Sequence, residues 1–362
     1  MWYNDVVKKR AVQIALTLLL SALALYIALR GINFGDVGAA LARVDWVWLS
    51  LTLLLILATL GIRAERWRIL LGRTVSLRDT FGLTGIGYLI SGVLPFRAGD
   101  PARAVGASLR GPVSALAALS TVVVERVLDM LLIVLILVAT LPFVPGLREY
   151  LSVGGVGSGG AGGAEGATGQ LLSFNVLLIL SGVLAFAILL VFVLIAVFPE
   201  TTEALAQRFL KALGIAKPDR WLQPVHSILQ GLSALRSPRE GLAIGLWSLT
   251  LWAVTAGFFG SAMWACRAFI PGASTLRALV AMWSSAFGMV FPATGGIGSF
   301  HFAVREALYW GFDVPRDLGF AYAVVVHALP YVTGIVVGAV TLLSWGMSVK
   351  GLVSRGQKIE SQ

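Results

Sequence analysis

Residues Val113–Pro142 read VSALAALSTVVVERVLDMLLIVLILVATLP, a run whose only ionisable residues are Glu125, Arg126 and Asp129. About 20 apolar residues suffice for a helix to cross the hydrocarbon core of a bilayer, so this run is long enough to span. Its three ionisable side chains each cost roughly 2.5–3.5 kcal/mol near the centre of a membrane helix unless they are paired or hydrated. Glu125 and Asp129 are four residues apart and share a helix face, and Arg126 is three from Asp129. All three are therefore expected to face a protein interior or a polar cavity, not lipid.

The rest of the chain agrees with a membrane reading. Hydrophobic residues make up 57% of its 362 residues and charged residues only 13%, with a mean hydropathy of +0.86. Soluble domains carry about a quarter charged residues. Six segments are long and apolar enough to span, at about 11–29, 44–62, 113–142, 173–197, 242–265 and 318–347. Lys8, Lys9 and Arg10 before the first run resemble the start of a signal peptide. The run exceeds a normal signal core and lacks a convincing cleavage site, so a retained first helix is expected. Two shorter apolar stretches, about 79–95 and 277–292, each end in a Pro/Gly motif. These are LPFRAGD (Leu94–Asp100) and FPATGGIG (Phe291–Gly298).

The positions of the basic residues decide whether the short stretches cross. Clusters at Lys8–Arg10, Arg63–Arg78, Arg208–Arg239 and Lys350–Lys358 all fall on one side only if both short stretches enter the membrane and return. That arrangement satisfies the positive-inside rule. It places both termini in the cytoplasm of a cell (plasma or inner) membrane protein, 199–240 as a basic cytoplasmic segment, and 143–172 outside. The Gly154–Gly169 stretch has no helical or strand period and reads as a flexible exterior loop. It is not a phosphate loop, because no Lys-Ser or Lys-Thr follows it.

The fold class expected is an all-α membrane bundle of about six spanning helices plus two re-entrant broken hairpins, forming one domain over 1–362. The breaks fall at Pro95 and Gly99, and at Pro292, Gly295, Gly296 and Gly298. The motifs Val93-Leu94-Pro95 and Val290-Phe291-Pro292 correspond, and each is followed by a long spanning segment. Segments 44–142 and 242–347 thus read as an inverted repeat, with the breaks meeting near the midplane. Non-helical backbone at that depth implies a polar cavity, and a helix N-terminus there favours an anion.

Candidate ligand-binding residues follow. Arg97 and Arg103, with Asp100 between them, lie after the first break, and a guanidinium can grip two phosphate oxygens. Glu125, Arg126 and Asp129 either balance those arginines, contact a polar substrate, or form an internal salt bridge that fixes packing. His301, Arg305 and Glu306 follow the second break on a short amphipathic helix. His327 lies in the last span near Pro330 and Tyr331, where a packing role is the more common one and a proton relay the rarer. Arg63–Arg68 reads as a basic interfacial anchor with Trp67 at headgroup level.

Other function classes lack support. The net charge of +10 is spread between apolar runs rather than on one basic face, so nucleic acid is not expected. Cys266 is the only cysteine, and His226, His301 and His327 show no ligand spacing, so neither metal nor cofactor is expected. Nucleotide-binding loops, zinc-protease helices and serine-nucleophile elbows are missing from the sequence.

The run Gly87–Asp100 with Arg103, together with Glu125–Asp129, Arg63–Arg68 and Pro292–Gly298, resembles the flippase-like membrane region of lysylphosphatidylglycerol synthases. That family includes the multiple peptide resistance factor. The resemblance covers nearly the whole chain and implies a lipid translocase that moves an anionic or aminoacylated phospholipid between leaflets. Arg97 and Arg103 would hold the phosphodiester, while Glu125 and Asp129 balance charge or meet a cationic headgroup. The chain ends at Gln362 without the soluble aminoacyl-transfer domain of the full synthases, so synthesis of the lipid is not expected of it. His327 stands where the resemblance leads to an arginine, which leaves the headgroup open. The alternatives are a transferase acting on a lipid-linked substrate, or a scaffold recruiting a soluble cytoplasmic partner through 199–240. A homo-oligomer is compatible with all three.

Overall fold

A computed structural model describes residues 22–94, 97–146, 197–213, 231–290 and 293–346 continuously, with single residues between 19 and 21, 183 and 195, and 222 and 229. The described residues are helical or irregular and contain no strand. Most of the expected spans 11–29 and 173–197, the loop 147–172, Pro95, Pro292 and both chain ends lie outside them.

Among the described residues eleven α-helices have defined bounds: α1 (Phe34–Leu41), α2 (Trp46–Leu70), α3 (Leu77–Val93), α4 (Gly99–Arg110), α5 (Ala115–Thr140), α6 (Pro199–Ala212), α7 (Ser233–Arg236), α8 (Pro238–Ala265), α9 (Thr275–Gly288), α10 (Ser299–Phe312) and α11 (Arg316–Ser344). Side-chain caps place several starts. Asp45 accepts from the amides of Val47 and Trp48, and Ser76, Ser114 and Ser274 accept from residues three further on. Helices α2, α8 and α11 are long and apolar enough to cross a membrane. Helix α5 has the length, at 26 residues, but carries Glu125, Arg126 and Asp129 in its middle.

Helix α2 corrects one boundary. It runs to Leu70 without interruption, so Arg63–Arg68 belong to the helix itself and not to a segment beyond its end. The hydrophobic side of the sequence misses this because the apolar run stops at Ile62, while the helix continues into a polar protein interior. Directly after α5, Leu141–Phe143 form a 3₁₀ turn and Val144 is buried.

Helices α2 and α8 lie antiparallel, joined by Asp45 N–H to the Ala265 carbonyl at 2.9 Å, by Thr52 Oγ1 to Ser261 Oγ at 2.8 Å, and by Arg66 to Ser248. Helices α3 and α4 form a hairpin. Gly99 packs on Gly87, Gly106 on Leu83, and Arg110 reaches Asp79 at 3.4 Å. Helices α9 and α10 form a second hairpin, with Gly288 against Ser299 and Phe300, and Arg277 donating to the Phe312 carbonyl at 3.4 Å. Two hydrophobic cores result. One gathers around α8–α11 and the start of α2; the other around Trp67, α3, α4 and the first half of α5.

A close, glycine-lined helix contact joins α3 to α11. Gly82 faces Thr341 and Trp345, Gly85 faces Val337 and Gly338, Gly334 faces Tyr88, and Gly92 faces Tyr331. Small residues let two backbones approach in a membrane, where dispersion contacts replace the hydrophobic drive. A Cβ on Gly338 would overlap the Gly85 carbonyl oxygen, whereas one on Gly260 would meet nothing within 4 Å. Gly338→Ala is therefore expected to destabilise the protein by about 1–3 kcal/mol through overpacking, and Gly260→Ala to leave it unchanged or slightly firmer. Thermal unfolding of the two variants in nanodiscs checks this; equal midpoints would show that α3 and α11 separate without cost.

Candidate ionic site

The second turn from the end of α2 carries Arg63 and Arg66 three residues apart, and α5 carries Glu125 and Asp129 four apart. These spacings put each pair on one helix face, and the two faces meet. Arg66, whose side chain is 0% exposed, donates from Nη1 to Asp129 Oδ1 at 2.8 Å and to Ser248 Oγ at 3.2 Å. Its Nη2 lies 3.6 Å from Glu125 Oε1. Trp252 Nε1 on α8 also donates to Asp129 Oδ1, at 3.3 Å. Arg103 on α4 donates to Glu125 Oε2 and stacks over the Trp67 ring at 4.2 Å, while Trp67 Nε1 donates to Thr121 Oγ1 at 2.9 Å. The interior of the cluster thus balances two guanidiniums with two carboxylates.

Around this core lies a more accessible rim. Arg63 pairs with Asp129 Oδ2 at 3.2 Å. Arg126 grips Asp100 in a fork, Nη2 to Oδ1 at 2.7 Å and Nε to Oδ2 at 3.2 Å, with 35% of its side chain exposed. Arg97 is exposed at the turn of the first hairpin, and its Nη2 donates to the Met289 carbonyl of the second at 3.4 Å. Its backbone is left-handed, with φ 52°, a conformation that costs a side-chain-bearing residue roughly 1–2 kcal/mol. Arg97 lies within electrostatic reach of Arg126, Arg63 and Asp100. Core and rim together set five guanidiniums against three carboxylates, a surplus of two positive charges concentrated at the exposed end. Inside, Arg66 Nε, Arg103 Nε and Glu125 Oε1 have no hydrogen-bond partner among the described residues.

A second polar group sits across the hairpin turns. His327 Nε2 is 3.0 Å from the Gly295 carbonyl, and Tyr331, one turn along α11, donates to the Gly92 carbonyl at 2.9 Å. One helix face of α11 therefore holds both hairpin turns at once. Gly295, Gly296 and Gly298 take φ of 58°, 71° and 94°, which glycine alone adopts without strain. His301 lies against His327, ring centres 4.8 Å apart.

The structure sorts the expected residues. Arg97, Asp100, Arg103, Glu125, Arg126 and Asp129 form one cluster, and His301 and His327 another. Arg305 belongs to neither: it donates to the Ala28 carbonyl at 2.7 Å and pairs with Glu306, which Arg316 also binds at 3.0 Å. It ties α10 to the end of the helical residues 22–29, as a cation at a helix C-terminus does. Arg103 is buried against Glu125 rather than open to a ligand. Reading Arg63–Arg68 as an interfacial anchor is corrected as well, because Arg66 and Trp67 are fully buried. The signal for Arg63 and Arg66 was present in their three-residue spacing, complementary to the acidic pair of α5. Ser248, Trp252 and Tyr331 carried no such signal.

Residues 14–338 match the family described as lysylphosphatidylglycerol synthase TM region. No curated protein and no solved structure matches the chain.

Removing one partner of a buried ion pair strands the other and costs about 3–5 kcal/mol. Arg103→Met and Glu125→Gln are each expected to lower stability substantially, and the double variant to lose less than their sum. A double-mutant cycle by thermal or chemical unfolding in nanodiscs checks this. Strict additivity would mean that the contact contributes nothing.

Proposed function

Since the chain belongs to the lysylphosphatidylglycerol synthase transmembrane family, we propose that it moves an anionic or aminoacylated phospholipid, or a related lipid-linked substrate, between membrane leaflets. The observation that carries this reading is the surplus positive charge on the rim formed by Arg63, Arg97 and Arg126. A planar guanidinium fork suits a phosphodiester, and Arg97 stands where a headgroup would meet both hairpin turns. Asp100 beside Arg126 offers an aminoacyl ammonium group a carboxylate. Arg103, Glu125, Arg66 and Asp129 hold the helices that present this rim.

Architecture supports the same reading. The α3–α4 and α9–α10 hairpins are read as re-entrant, in an inverted repeat that relates α2 to α8, α3 to α9, α4 to α10 and α5 to α11. Under that exchange the packed pairs among these eight helices have counterparts. Helix α3 packs on α11 as α9 packs on α5, and α4 on α5 as α10 on α11. A polar path between two hairpin turns would let the headgroup cross while the acyl chains stay in lipid. Basic residues at the α2, α4 and α8 ends orient the ionic cluster toward the cytoplasm.

The test reconstitutes purified protein into vesicles holding labelled phosphatidylglycerol and its lysyl ester, and measures the exposure of inner-leaflet label. The native chain is expected to accelerate it. Arg97→Ala removes a charge-assisted hydrogen bond of about 1.5–3 kcal/mol and is expected to slow it on the order of tenfold or more without loss of folding. Equal slow rates for the native chain and the variant would overturn the reading. Conversion of the lipid without its movement would transfer the site to a lipid-linked transferase.

A further inference from the structure

We infer that His301 and His327 form a proton-binding site whose occupancy controls the seating of the second hairpin turn on α11. The site itself stands on geometry; only its coupling to lipid movement rests on the translocase reading above.

The two rings come from different helices, α10 and α11, and touch edge to face with centres 4.8 Å apart. Phe300 stacks on His327 at 4.5 Å and Phe320 lies 5.4 Å from His301, so the pair sits in aromatic surroundings. His327 Nε2 is engaged with the Gly295 carbonyl, while His301 Nδ1 is buried and has no partner. A buried ring nitrogen without a partner forfeits a hydrogen bond in either neutral tautomer. It regains one only when water or a proton donor reaches it.

The groups on the packed elements are committed elsewhere. On α9, Ser284 and Ser285 donate to the Ala281 and Met282 carbonyls, and Arg277 reaches Phe312 at the far end. On α10, Arg305 and Glu306 bind each other, Ala28 and Arg316. On α11, Tyr322 donates to the Phe259 carbonyl and Tyr331 to that of Gly92, and Asp317 accepts from Asn33. Asp129 of α5 is held by Arg63 and Arg66, and Arg97 of the first hairpin by Met289. Among the described residues, the only ionisable group acting on His301 is His327. Two imidazoles this close, with no counter-charge, can hold one proton between them but not two.

The consequence follows from the bond to Gly295. With the pair neutral, the His327 N–H donates to that carbonyl and the aromatic contacts close over both rings. A proton on the pair calls for water at His301 Nδ1, and that water would enter as Gly295, the residue of the turn held by His327, parts from α11. Its three glycines at positive φ make that segment adaptable. Proton binding therefore favours the parted arrangement and proton release the closed one. One proton enters from one compartment and leaves to either, with no other bond made or broken.

Two measurements test this. The chain has only three histidines, so their ring C–H resonances in nanodiscs can be assigned with single His→Gln variants. His301 and His327 are expected to titrate as a coupled pair, and His301→Gln to change the proton affinity of His327 about tenfold or more. Independent titration, or no titration between about pH 4.5 and 8.5, would overturn the site. In vesicles, lipid movement by the native chain should rise severalfold as pH falls through the histidine range. The profile of His301→Gln, normalised to its own rate, should be flat. Matching profiles would overturn the coupling. Coupled titration without lipid movement at any pH would keep the proton site and reject the translocase reading.

Discussion

The pairing of Glu125 and Asp129 with Arg66 and Arg103 is the constraint on which the rest depends. Helix α5 cannot cross a bilayer with three bare charges in its middle, since their combined insertion cost would approach the whole stability of a domain. The acids are tolerable because α2 and α4 bring guanidiniums to them at hydrogen-bonding distance. That requirement fixes three relations at once: α2 must stay helical through Arg66, α4 must fold back toward α5, and α8 must lie where Ser248 reaches Arg66 and Trp252 reaches Asp129. Buried ion pairs of this kind give little net stability relative to apolar packing. Their contribution is selectivity, because any other register strands a charge.

Once α4 is held against α5, the start of α4 is closely constrained against α3. Gly99 must approach the Gly87 carbonyl closely, which excludes any side chain there, and Arg97 is forced into a left-handed conformation. Strain of that kind persists only where surrounding structure over-determines it. The same hairpin is fastened on its other side by the glycine contacts of α3 with α11. The rim arginines are thus presented by a closely packed frame, and Arg97 joins the first hairpin to the second through the Met289 carbonyl.

Much of this was legible in the sequence and some was not. The apolar runs gave α5, α8 and α11 to within a few residues, because hydropathy and helix length report the same physical requirement in a bilayer. The two Pro/Gly motifs gave both hairpin turns, because backbone that leaves the helix needs proline or glycine there. Glu125 and Asp129 announced themselves by their cost. Their partners did not: Arg63 and Arg66 look like an interfacial anchor when only the neighbouring apolar run is read, since a basic cluster past a span is ordinarily at the headgroups. The pairing is three-dimensional, and one chain read linearly does not say which arginine finds which acid. Likewise, Gly334 and Gly338 show the small-residue spacing of a close helix contact, but the opposite glycines of α3 lie some 250 residues away and only the fold brings them together.

In the proposed inverted repeat the two halves of the chain share a frame and differ in what they place on it. In the first, α5 carries carboxylates and meets arginines; in the second, α11 carries His327 and Tyr331 and meets carbonyls and aromatic rings. On the proposed reading this is a division of labour. Guanidiniums keep their charge at every accessible pH, so the first half offers a headgroup a constant attraction. Such a site can bind but cannot by itself release. Imidazole is the side chain whose charge changes near neutrality, and here it bears on the bond that joins the second hairpin to α11. A constant charge on one hairpin and a variable one at the other is the smallest arrangement in which binding and release are governed by different groups.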